Sequence, residues 1–170
     1  KKINNARLNV IEKNINKDSQ ILHVTENRIY DDFMKKIQSK NITLNENIRV
    51  LPYMYDMPSA LNIANLVVTS AGAITLAEIS AIGVPSILIP KGYTAENHQE
   101  YNARAFEKKG ASYLILEKDL TGEKLNNVIN NLIYDFNKLK EMSKNSKALG
   151  NIYDTEKIVD LVNRTALEKS

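Results

Sequence analysis

The chain has 170 residues, 43% of them hydrophobic and 25% charged, which suits one domain with a buried core or one large half of a two-domain protein. Its formal charge of +3 comes from Lys and Arg scattered among Asp and Glu, with no basic run interleaved with aromatics, so nucleic acid is not an expected partner. There is no cysteine, which excludes disulfides, thiolate metal sites and a cysteine nucleophile; the two histidines, His23 and His98, are far apart, and no apolar run approaches the length of a membrane span.

Lys2 to Asn14 carries apolar residues at Ile3, Ala6, Leu8, Val10, Ile11 and Ile15, a spacing that predicts a helix with one buried face. No capping residue precedes it, so the chain is expected to begin at a cut end. Gln20 to Thr25 reads as a short strand with His23 half-exposed. Glu26 to Lys40 is an amphipathic helix through Ile29, Phe33, Met34 and Ile37, and Asn47 to Leu51 is the next strand. The loop Pro52 to Pro58 follows. In it Asp56 can cap a short helix, Pro58 to Ala64, where proline near the first turn costs little.

Leu66 to Thr69 is an apolar strand that breaks at Ser70-Ala71-Gly72 and feeds a helix ending at Gly83, a natural residue just past a helix C-terminus. Pro85 to Pro90 is a strand bracketed by prolines, and Lys91 to Asn97 is a polar loop. Glu96 to Lys109 is a helix closed by Gly110, and Ala111 to Leu116 a further strand. Three helices complete the chain: Leu120 to Ile133 with Thr121 as cap, Asp135 to Leu149 ended by Gly150, and Asn151 to Lys169. Short apolar strands alternating with helices predict an α/β fold, a Rossmann-like doubly wound parallel sheet covered on both faces. Ligands of such sheets bind at the carboxyl ends of the strands.

Three segments leave strand ends there: Tyr53-Met54, Gly72 to Glu78, and His98 to Asn102. Gly72 permits close backbone approach. Ala73, Ile74 and Thr75 would present N–H groups at a helix N-terminus, a natural anion site, and the Thr75 hydroxyl adds a donor. Glu78 lies about a turn beyond Thr75 on the same face. A carboxylate there suits a vicinal diol such as a ribose, or it simply complements the helix dipole. The glycine turn alone is weak, being neither a GxGxxG nor a P-loop. Gln99 and Asn102 share a face, as do His98 and Asn102; carboxamides suit sugar hydroxyls, and a solvated helix start is the plain alternative. His98 and Glu100 are neighbours on a helix and point apart, which argues against an acid–base pair.

Taken together, the loop YMYDM at Tyr53 to Met57, the stretch VVTSAGAITLAEISAIGVPSILIP at Val67 to Pro90, and HQEYNARAFEKKGA at His98 to Ala111 resemble the C-terminal half of the MurG family. These are the UDP-N-acetylglucosamine:lipid I N-acetylglucosaminyltransferases that make lipid II for peptidoglycan. The resemblance runs from Lys1 to about Val162 and implies a GT-B glycosyltransferase of two Rossmann-like domains. In such an enzyme the C-terminal domain holds UDP-GlcNAc. The N-terminal domain holds the lipid acceptor, the membrane-association patch and the general base. By position, it implies that Met54 contacts the uracil with Tyr53 beside it. Gly72, Ala73, Ile74 and Thr75 would meet the diphosphate and sugar, and Glu78 the ribose. Gln99, with His98 in the place of a family glutamine, would bind GlcNAc hydroxyls, and Asn102 would support them. No catalytic residue, metal site or cofactor is implied for this stretch. The enzyme would be peripheral on the cytoplasmic face of the bacterial membrane, and this fragment soluble.

Two departures stand out. Ser70-Ala71 replaces an arginine-containing pair that commonly precedes the glycine of the turn. The family also has a strand and a Gly-Gly-Ser turn before the first helix, so the chain is expected to lack its central first strand and the whole acceptor domain. Two inner strand edges would then have no partner, favouring weak stability, an altered sheet or association through those edges. The fragment alone would be inactive. Other readings are another GT-B enzyme that uses a UDP-sugar (a diacylglycerol glycosyltransferase or a UDP-GlcNAc 2-epimerase) and a non-catalytic nucleotide-sugar-binding module.

Overall fold

The computed structural model describes residues 2–13, 19–92 and 98–150. Among them the order is helix α1 (Lys2–Glu12), strand β1 (Ile21–Val24), α2 (Asn27–Ser39), β2 (Ile48–Leu51), α3 (Met57–Ile63), β3 (Val67–Thr69), α4 (Ala73–Ile82), β4 (Ser86–Leu88), α5 (His98–Lys108), β5 (Ser112–Leu114), α6 (Gly122–Ile133) and α7 (Phe136–Gly150). A 3-10 turn at Glu117–Asp119, not anticipated from the sequence, precedes α6. The expected helix over Asn151 to Lys169 lies outside the described residues.

Local chemistry sets most of the boundaries. Asp56 caps α3 by accepting from the Ser59 N–H at 3.1 Å, and Thr121 caps α6 by accepting from the Lys124 N–H at 3.0 Å. Gly83 and Gly110 end α4 and α5 with φ of 82° and 67°. At the second, the Ala111 N–H reaches Phe106 O at 3.0 Å and the Gly110 N–H reaches Glu107 O at 2.8 Å, the two bonds of a Schellman ending. Gly150 is the last described residue of α7. A Cβ there would lie 2.6 Å from Ser80 O, so the glycine serves close packing of α7 on α4.

All strand pairs are parallel, in two pieces: β1–β2, and β3–β4–β5 with β4 in the centre. Successive residues of β4 feed opposite faces. Ile87 and Ile89 join Leu125, Val128 and Leu132 of α6, while Leu88 joins Leu76 and Ile79 of α4 and Phe106 of α5. This is the two-faced burial expected of a doubly wound sheet. A third cluster places Phe33 and Ile37 of α2 over Ile48 of β2.

The sequence predicts one buried face for α1; the structure gives it two. Ala6 and Val10 enter the core of the three-stranded sheet, whereas Leu8 and Ile11 enter the core of the two-stranded one. Residues two apart on a helix point in nearly opposite directions, so α1 is a wedge shared by both cores.

The edges of β1 and β3 explain the wedge. Val67 N–H donates to Pro85 O and Ile89 N–H to Thr69 O, so Val67 and Thr69 turn their backbone groups to β4 and Val68 turns its pair away. Arg7 of α1 donates to that Val68 carbonyl at 3.4 Å. Likewise Ile21 and Thr25 donate to Asn47 O and Leu51 O, which leaves Leu22 and Val24 directed away from β2. Among the described residues neither edge has a strand partner, as expected.

His23 corrects its expectation. It is 7% exposed rather than half-exposed, with its ring centroid 4.7 Å from that of Phe33. The face of β1 that carries it is covered by α2. Burial pushes its pKa down to about 4, the Arg7 charge adding to the shift, and its Nε2 has no hydrogen-bond partner. Burial also lowers the Arg7 pKa.

Candidate functional site

β3 stops at Thr69, and the turn Ser70-Ala71-Gly72 delivers the chain to α4. Ala71 is wholly buried and anchors the turn, while Ala73 and Ile74 are exposed, Ile74 at 80%. Gly72 occupies the N-cap position and supplies no side-chain cap. The first helical bond runs from the Leu76 N–H to Gly72 O at 3.0 Å, so the N–H groups of Ala73, Ile74 and Thr75 lie ahead of the ladder. A Cβ on Gly72 would meet only Thr75 Oγ1, at 4.0 Å. The turn therefore presents backbone donors, a hydroxyl and the positive end of a ten-residue helix to one open space.

Glu78 is exposed and is the sixth residue of α4, whose first turn carries no acid. Helix-dipole stabilisation falls off within the first turn, so it gives little reason for a carboxylate at this position. The helix is apolar around most of its circumference because it packs between α3 and α7, where Leu76, Ile79 and Ser80 are buried.

α5 is the next described element after β4, the strand next to β3. The Gly72 turn and residues His98 to Asn102 thus lie beyond the carboxyl ends of adjacent strands. His98 is exposed, and Gln99 and Asn102 are half-buried. Gln99 Oε1 accepts from the Lys91 N–H at 3.0 Å. Glu100 is held by Arg104 one turn on, at 2.7 Å. Tyr53 and Met54 follow β2, in the other sheet. They are linked to the turn through α3, whose Met57 and Leu61 join the cluster of Leu76 and Ile79. Tyr53 is 55% exposed and meets Tyr55 edge-on with centroids 5.0 Å apart; Met54 is half-buried.

One further residue enters the site that the sequence did not single out. Glu117, in the 3-10 turn after β5, accepts from the Gly92 N–H at 3.0 Å. The two residues are 25 positions apart, and only the parallel order of β4 and β5 brings them together. Both residues line a cleft of about 200 Å³, to which Pro90, Glu100 and Arg104 also contribute.

Residues 1–162 match the family model of the glycosyltransferase family 28 C-terminal domain. A protein of Finegoldia magna named UDP-N-acetylglucosamine--N-acetylmuramyl-(pentapeptide) pyrophosphoryl-undecaprenol N-acetylglucosamine transferase is 48% identical over 159 residues, covering 93% of this chain and 42% of that protein. A Clostridioides difficile protein of the same name is 49% identical over 150 residues, covering 88% of this chain and 36% of the relative. The chain thus spans less than half the length of these relatives. The crystal structure of Acinetobacter baumannii MurG superposes with a TM-score of 0.81 at 23% identity, covering 96% of this chain and 48% of that one. The glycosyltransferase VinC, solved with dTDP, superposes with a TM-score of 0.68 at 19% identity over 92% of this chain and 36% of that one. At these identities the superpositions speak for the fold.

Proposed function

The chain belongs to the glycosyltransferase family 28 C-terminal domain family, and from that premise we propose that it is the donor-nucleotide domain of a MurG-type N-acetylglucosaminyltransferase. The whole enzyme would move GlcNAc from UDP-GlcNAc to the C4 hydroxyl of the MurNAc unit of lipid I, with inversion. The acceptor and the general base would belong to a second domain, and the donor to this one. The enzyme would work at the cytoplasmic face of the membrane as a peripheral protein. Among the described residues no helix is long and apolar enough to cross a membrane.

The observation that carries this reading is the open N-terminus of α4 with Glu78 one turn further on the same helix. The N–H groups of Ala73, Ile74 and Thr75 and the Thr75 hydroxyl would take the diphosphate oxygens and part of the sugar. They are pre-oriented by the helix, so binding costs little ordering. Glu78 is acceptor-only when ionised and suits the two hydroxyls of the ribose. Met54 and Tyr53, after β2, would border the base. His98, Gln99 and Asn102 would line the sugar.

Calorimetry with UDP-GlcNAc, UDP-galactose and UDP tests the reading. UDP-GlcNAc is expected to bind in preference to UDP-galactose, and Glu78→Ala to weaken binding of all three by about tenfold or more, the scale of a lost hydrogen bond to a charged group. Unchanged uridine-nucleotide affinity in that variant would remove Glu78 from the site. No binding by the parent chain would remove the donor assignment itself.

A further inference from the structure

Two consecutive backbone N–H groups in the loop after β4 are each taken by a side chain from a different element. The Lys91 N–H donates to Gln99 Oε1 in the first turn of α5, and the Gly92 N–H donates to Glu117 Oε2 in the turn after β5, both at 3.0 Å. Lys91 and Gly92 are thereby tied to α5 and to the turn after β5. The first bond also settles which way the Gln99 carboxamide faces. An N–H needs an acceptor opposite it, so the oxygen faces Lys91 and the NH2 group is the end left to face a ligand. The second bond is charge-assisted, because its acceptor is a carboxylate, and it holds the neighbouring peptide unit. A shift of Gly92 is passed directly to Lys91 and from there to Gln99.

We infer that Glu117 is a positioning residue for the donor sugar: it fixes the Lys91–Gly92 loop so that Gln99 meets the sugar as an N–H donor. This rests on the donor-site reading above, and it adds to it a direction of hydrogen bonding and a residue that acts through Gln99. Gln99 would then recognise acceptor oxygens, a hydroxyl or an acyl carbonyl, and not hydroxyl protons.

The test compares UDP-GlcNAc with UDP, so that the sugar's share of binding is read separately. Glu117→Ala is expected to weaken UDP-GlcNAc about fivefold or more, leave UDP within twofold, and speed hydrogen exchange at the Gly92 amide; Glu117→Gln, which keeps an oxygen acceptor, is expected to restore all three. Gln99→Glu keeps the oxygen for Lys91 but loses the N–H donors. It is expected to weaken UDP-GlcNAc about tenfold while the Lys91 amide stays protected. If Glu117→Ala leaves the UDP-GlcNAc to UDP ratio unchanged, or lowers both affinities equally, the positioning role is overturned while the donor-site reading stands. If the parent chain binds neither nucleotide, the donor-site reading fails and the positioning role fails with it.

Discussion

At the scale of single residues, His23 shows how a side chain read as ordinary becomes an energetic feature. Its folded pKa of about 4 lies below the usual 6.5, so the unfolded chain takes up the proton first as pH falls. Its contribution is therefore constant above pH 6.5 and is lost between pH 6.5 and 4, by roughly 3 kcal/mol at the lower end. Urea unfolding of the parent and of His23→Leu over this range should show a steeper fall with acidification in the parent. Parallel curves would mean that His23 does not titrate as its surroundings dictate. Arg7 is the complementary case. A half-buried guanidinium loses part of its hydration, and here it offsets some of that by satisfying Val68 O on a strand edge that has no strand partner among the described residues.

At the scale of elements, close packing is decided by where a Cβ is missing. α4 and α7 share one of the most extensive helix contacts in the molecule, and Gly150 sits against the backbone of Ser80. Backbone cannot yield as a flexible side chain can. Gly150→Ala is expected to destabilise by about 1–3 kcal/mol, read from the urea midpoint at unchanged slope. A change under about 0.5 kcal/mol would show that the helices slide apart without cost. The same scale shows why the site elements were legible. The strand at Val67–Thr69, the helix from Ala73 and its left-handed end at Gly83 are each written in a few consecutive residues. The double packing of α1 is not legible from periodicity, because a periodic apolar pattern gives a helix its length but not the number of partners it will meet. The spread of Ala6, Leu8, Val10 and Ile11 around the axis was the available signal.

At the scale of the whole molecule, the parallel sheet is divided between β2–β1 and β3–β4–β5, and among the described residues the free edges of β1 and β3 have no strand partner. Arg7 meets one carbonyl of β3; Leu22 and Val24 turn their groups outward on β1. Such edges pair with whatever strand is offered. Sedimentation velocity is therefore expected to show concentration-dependent association of the 170-residue chain. Denaturant unfolding should be less cooperative than for a continuous sheet. A strictly monomeric chain with one sharp transition would overturn this.

Local signals carried the fold class, the order of elements, the caps at Asp56 and Thr121, the glycine endings at Gly83 and Gly110 and the strand–turn–helix from Val67 to Ile82. Each depends on interactions within a turn or two of chain, so a few residues suffice to specify it. Tertiary structure alone decided that α1 serves two cores, that His23 is buried beside Phe33, that Arg7 caps Val68 from 61 residues away, and that Glu117 holds Gly92 from 25. Those contacts join segments whose own patterns are complete without one another. What brings them together is the parallel order of the strands and the need to satisfy buried backbone groups, and neither is encoded at any single position.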